Sequence, residues 1–250
     1  EALRWGADII VTVDDDNIPL DTNYFDEIIA RMAYPYSGPA AIAHDYWFDV
    51  GQLLRPKAKH RGFPYSVKNA WSVKPVTNAR IGVCAGLCLG DPDIDAVTRM
   101  AMAPEVHGIS ELVRRGLVVD PTTWTVFNSQ NTAFVRELAP FMFMFPGIGR
   151  YDDIYASLLT QAVMRELDLY VHFGAPMVWQ TRNRHDLMQD LHAELPGMEN
   201  VKRFAEFAGR GSQALRDPAQ RANFFQEMVH VGLLPVQAVT AAMAWFEDVE

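Results

Sequence analysis

Positive charge, cysteine and long apolar runs are what this sequence has least of. Its 22 Lys and Arg are outnumbered by 31 Asp and Glu, giving a formal net charge of -9 and a pI near 5.2. Without a basic face to offset repulsion from a phosphate backbone, a nucleic-acid partner is excluded. No stretch approaches the roughly 20 uninterrupted apolar residues that cross a bilayer, and the best run, 141–145, is far too short. The chain therefore reads as soluble, with no membrane partner. Only two cysteines occur, Cys84 and Cys88. With C-x3-C spacing and no His or Cys partner nearby they make neither a zinc site nor a disulfide framework. Buried thiols in a reducing cytoplasm fit that usage. Internal repeats and low-complexity segments are absent as well.

What is present is apolar bulk: 49% of the 250 residues are hydrophobic and 11% aromatic, enough for one sizeable core, so a single domain over 1–250 is expected. Residues 1–6 read as the last turn of a helix closed by Gly6, and 8–13 as a β-branched strand. Phe25, Ile28, Ile29 and Met32 have helical spacing over 24–32. Residues 37–80, rich in Gly, Pro and aromatics, read as a long irregular loop region. Strands are expected at 80–89, 117–119, 124–127, 170–173 and 177–179. A helix is expected over 152–167, with two acids in its first turn and Arg165 near its end. Beyond Arg184 three helical patterns run to 236–246, a helical part over about 184–250. Its last stripe, Val239, Met243 and Phe246, suits either the core or an interface in a homo-oligomer. Alternating strands and helices argue for an α/β layer fold, and the abrupt start suggests that its front half lies upstream.

Asp14-Asp15-Asp16 follows the first strand directly, at the carboxyl end where open α/β sheets bind ligands. Three adjacent like charges repel, which makes sense if a hard cation sits there: Mg²⁺ or Mn²⁺ takes oxygen ligands and shares them with a diphosphate. A solvated acidic turn is the plainer alternative. Two enzyme classes place D-x-D after a strand, the nucleotide-sugar transferases and the haloacid-dehalogenase-like phosphatases. For the latter, Asp152-Asp153 is available as the second acidic pair.

Four further segments carry a resemblance. Arg61-Gly-Phe-Pro-Tyr-Ser66, Gly86-Leu-Cys-Leu89 with Pro92-Asp-Ile-Asp-Ala96, Asn131-Thr-Ala-Phe134 and Ile148-Gly-Arg-Tyr-Asp-Asp153 occur in this order. Together they resemble the reversibly glycosylated polypeptides, the plant UDP-arabinopyranose mutases and their bacterial relatives. The resemblance implies a glycosyltransferase-A type fold with a Rossmann-like mixed sheet, a divalent metal, and interconversion of pyranose and furanose rings on a nucleotide-linked sugar, UDP- or GDP-linked. The position of Arg61 matches the family's sugar-carrying arginine, and its planar fork also suits a phosphate clamp.

The resulting site has three parts. Arg61, Asp152 and Asp153 are the catalytic candidates, since two close carboxylates hold one raised pKa suited to moving protons between sugar hydroxyls. Asp14, Asp15, Lys68, Asn131 and Arg150 are the substrate-binding candidates. Asp14, Asp16 and His185 are the metal candidates, because the family's histidine after the strand at 177–179 is replaced by Gln180. Gly147-x-Gly149 lacks the third glycine and preceding strand of a dinucleotide fingerprint, so neither flavin nor NAD is expected. A glycosyltransferase using the same nucleotide-sugar site, a phosphatase, and a non-catalytic binding module remain as alternatives.

Overall fold

The computed structural model describes residues 1–102 and 105–249. A turn closed by Gly6, at φ +78°, leads into β1 (Ile9–Val13), β2 (Asn17–Pro19) and α1 (Tyr24–Met32). Next come β3 (Tyr36–Ala43), β4 (Leu54–Arg55), β5 (Trp71–Ala85), β6 (Cys88–Gly90) and α2 (Ala96–Ala101). They are followed by β7 (Gly108–Ile109), α3 (Glu111–Arg114), β8 (Leu117–Val119) and β9 (Asn131–Val135). The remainder holds α4 (Asp152–Glu166), β10 (Leu169–Phe173), β11 (Val178–Gln180), α5 (Leu187–Arg210), α6 (Ser212–Arg216), α7 (Pro218–His230) and α8 (Val236–Val249).

Six strands form the main sheet in the order β1-β9-β5-β10-β8-β3. β5 runs parallel to β10, and β8 to β3, whereas the other neighbours are antiparallel. β5 is shared: its first part pairs with β3 and its last part with β9 and β10. A second sheet, β2-β11-β6, places Gln180 opposite both Asn17 and Gly90. Tyr24, Ile28 and Met32 of α1 pack on one face of the main sheet against Ala40, Ile81, Cys84 and Val118. The larger core lies on the other face, where α4 and the C-terminal helices cover the sheet. This mixed α/β architecture with C-terminal helices is the glycosyltransferase-A-like fold that the sequence implied. Among the described residues no helix is long and apolar enough to cross a membrane.

Helix α4 is buried from Asp153 to Met164, polar side chains included. Ser157 donates to Ile154 O and Thr160 to Phe141 O, which offsets the desolvation of these two hydroxyls. Its Gln161 clasps Thr125, donating to the carbonyl at 2.7 Å and accepting from the amide at 3.1 Å.

Three expectations need correction. Residues 37–80 are not one irregular loop, because they contain β3 and the first part of β5. That part of β5 is almost wholly exposed, so burial imposes no alternation, and Pro39 faces Pro75 across the pair, both residues that read as strand breakers. Residues 124–127 are buried but form no strand, joined to the chain beside them through a Trp47–Trp124 bridge. Among the described residues beyond Arg184 there are four helices rather than three, with the short α6 between Gly211 and Asp217. The α8 stripe belongs to the core: Phe246 is buried beside Ala238 and Ala242, and Val239 and Met243 pack against the same cluster.

Candidate active site

The acidic turn is fixed from both sides. β1 pairs with β9 up to Val13 opposite Asn131, and the next amide, Asp14 N–H, donates to Gln130 O at 2.9 Å. Buried Asn17 donates to the same carbonyl, while Thr181 N–H donates to Asp16 O. Asp14 and Asp16 thereby face a cleft of about 340 Å³, whereas Asp15 is exposed and lies outside its lining. Burial first, then the charge of Asp16, raises the Asp14 carboxyl above its ordinary range. Two oxygen-donor carboxylates pressed together in this way are stabilised by a cation between them.

Gln180 stands at the end of β11 against this turn. Its Nε2 is 3.5 Å from Asp16 Oδ1, and its Oε1 is buried without a hydrogen-bond partner. An orphaned carbonyl oxygen beside two carboxylates fits the donor set of a hard divalent cation. His185 lines the same cleft, but its Nδ1 is 3.2 Å from Asp190 Oδ2. Among the described residues no three His, Cys, Asp or Glu side chains converge into a preformed metal cluster. Any cation here would therefore depend on substrate oxygens and water to complete its shell, as Mg²⁺ sites commonly do.

The opposite wall is built around Arg61, which is only 5% exposed. Nε and Nη2 donate to Asp93 at 2.9 and 3.0 Å, and Nη1 and Nη2 donate to Asp153 at 2.9 and 2.7 Å. Nη1 also donates to Arg150 O. All five N–H donors of the guanidinium are thus used, which leaves none for the phosphate clamp expected of it. Burial alone would raise the Asp93 carboxyl, but Arg61, His60 and Arg182 outweigh it and hold Asp93 well below the carboxylate range. Gly62, at φ +92°, lets this loop lie on α4: a Cβ there would come within 2.6 Å of Ile154 Cγ2.

Asp152 and Asp153, adjacent in the chain, have different fates. Asp153 is committed to Arg61. Asp152 accepts the Asp153 N–H at 3.0 Å, and burial followed by the charge of Asp153 raises its carboxyl. Arg150 is held by α5, through Glu194 Oε1 at 3.1 Å and Asp190 Oδ1 at 3.4 Å. Besides Asp15, two further substrate-binding candidates fall outside the cleft. Lys68 is exposed elsewhere. Asn131 is buried, and its Oδ1 accepts the Tyr24 hydroxyl at 2.6 Å, so it ties α1 to β9.

Sequence reasoning missed Asp93, Gln130 and Arg182, all of which line the cleft. Asp93 lies inside the Pro92–Ala96 segment of the resemblance, to which no role at the site was given. Nothing local marks Gln130 or Arg182, because only the folded chain brings them to the turn.

An α/β sheet with an acidic strand-end turn, facing a polar cleft walled by an arginine–carboxylate knot, defines a protein of the glycosyltransferase-A-like class. Within that class the chain belongs to the reversibly glycosylated polypeptide family, whose model matches residues 9–229. UDP-arabinopyranose mutase 1 of Oryza sativa subsp. japonica is 33% identical over 128 residues, covering 49% of this chain and 32% of that protein. UDP-arabinopyranose mutase 3 of Arabidopsis thaliana is 30% identical over 128 residues, 49% of this chain and 33% of its own length. These alignments span about a third of the relatives' length.

Proposed function

We propose that this chain is the catalytic portion of a metal-dependent, flavin-independent mutase that interconverts the pyranose and furanose rings of a UDP-linked sugar. One observation carries the reading: residues from Asp14 to Arg182, supplied by motifs far apart in the sequence, face a single cleft. Its size and polar lining suit a small charged ligand, and the relatives named above are UDP-arabinopyranose mutases.

Asp14, Asp16 and the Oε1 of Gln180 would hold Mn²⁺ or Mg²⁺, which when bound supplies positive charge to the departing diphosphate. The chain's own residues do the rest. Converting pyranose to furanose breaks and remakes the bond between C1 and the diphosphate oxygen and exchanges the ring bond C1–O5 for C1–O4, so one proton leaves O4 and one is placed on O5. Asp152 is the group for both transfers, because its raised carboxyl exchanges protons more readily than an ordinary aspartate. The Arg61 knot fixes the wall from which Asp152 projects. The two free thiols, Cys84 and Cys88, suit work in a reducing cytoplasm.

The test is incubation with UDP-arabinopyranose and Mn²⁺ in the absence of any acceptor, with products followed by NMR. A furanose isomer at constant total nucleotide sugar is expected. Release of UDP with sugar appearing on the protein would favour the transferase alternative, and an unchanged substrate would overturn both.

A further inference from the structure

The cleft holds three arginines in unequal states. Arg61 has no free donor, and Arg150 is paired with two acids of α5. Arg182, just past the end of β11, is different. Its side chain is 93% buried, being 7% exposed, yet its Nε has no hydrogen-bond partner. Asp91 Oδ1 lies 3.8 Å from that Nε and is already taken by Arg99 at 2.5 Å. Among the described residues the one hydrogen bond Arg182 makes, Nη2 to Asp93 Oδ1, is long at 3.4 Å, and that oxygen already accepts from Arg61 at 2.9 Å.

A buried guanidinium with unmet donors is costly unless a ligand completes it. Both neighbouring carboxylates are claimed by better-placed arginines, so the partner that Arg182 lacks must come from the cleft. What fits a planar fork of donors is a group with several anionic oxygens, a phosphate or diphosphate. Arg182 also directly follows Thr181, whose amide holds Asp16, so a diphosphate on Arg182 would lie beside the acidic turn.

We propose that Arg182 is the anion-receiving residue of the cleft and takes the diphosphate of the nucleotide-sugar substrate, the role that Arg61 has no donors to fill. The proposal rests on the nucleotide-sugar reading of the site, and two probes separate them. Titration calorimetry in Mn²⁺ buffer measures UDP and inorganic pyrophosphate against wild type, Arg182→Gln, Arg182→Lys and Arg115→Gln, an exposed arginine after α3 serving as charge control.

Arg182→Gln is expected to weaken both ligands by about 10- to 100-fold, and Arg182→Lys by less, with Arg115→Gln unchanged. Because the existing hydrogen bond of Arg182 is long, Tm without ligand should hardly move, while the rise in Tm on adding pyrophosphate should be lost. If wild type binds pyrophosphate and not UDP, the nucleotide reading fails and pyrophosphate alone decides the assignment of Arg182. Equal affinities for wild type and Arg182→Gln would overturn the assignment, as would a loss of the same size in the control. A wild type that binds neither probe overturns both readings. Should Arg182→Gln not fold, an unchanged affinity in Arg182→Lys has the same force.

Discussion

Arg61 and Asp153, 92 residues apart in the chain, are joined by two hydrogen bonds of 2.9 and 2.7 Å, so the loop before β5 is tied to the first turn of α4. With Asp93 on its other edge, the guanidinium cross-links three segments of the cleft wall. Removing one partner of a buried ion pair strands the others without compensation. Arg61→Lys is therefore expected to lower stability by about 3–5 kcal/mol, since an ammonium cannot serve two carboxylates in one plane. Urea unfolding measures this, and a midpoint equal to wild type would show that the knot holds nothing in place.

Asp152 gives the contrasting case. It is half-buried and, among the described residues, makes no ion pair, so Asp152→Asn should fold with wild-type stability. The isomerisation rate should fall by about 10²- to 10⁴-fold, the contribution typical of a proton-transferring side chain, with nucleotide-sugar affinity little changed. A full rate in this variant removes Asp152 from the reaction.

For the acidic turn, the expected signature is ionic. Asp16→Asn should abolish activation by Mn²⁺, and Asp14→Asn should weaken it. Because Asp14 is raised by burial and by Asp16, removing the Asp16 charge should also lower the Asp14 pKa, which NMR titration reads independently of activity. Full turnover in EDTA would strike the metal from the mechanism.

A pH effect is expected away from the cleft. Asp49 is fully buried, and burial, only partly opposed by His60, raises its carboxyl to about 6. A folded-state value above the unfolded one means that the stabilising form is the protonated one. Its contribution is complete below the unfolded pKa of about 3.9 and is lost as pH rises through 6. Between pH 4 and 7 wild type should therefore lose on the order of 3 kcal/mol relative to Asp49→Asn, whose Oδ1 can still accept from Gly51 and His60 N–H. Parallel stability profiles for the two proteins would refute this.

The chain order of elements was legible where burial writes a local pattern. β1 is a β-branched run, α1 has its apolar residues three and four apart, and two acids open α4. The acidic turn and the Arg150–Asp153 motif were legible as charge next to Gly or a strand end. The first part of β5 was not, because an exposed strand held by a partner strand carries no alternation. Nor did the sequence distinguish Asp152 from Asp153, or Arg61 from Arg182. By itself it determined which elements form and which residue types crowd toward the ligand. The tertiary structure alone decided which of them are free to meet it, because a hydrogen bond between residues as distant as Arg61 and Asp153 leaves no trace in the local pattern of either.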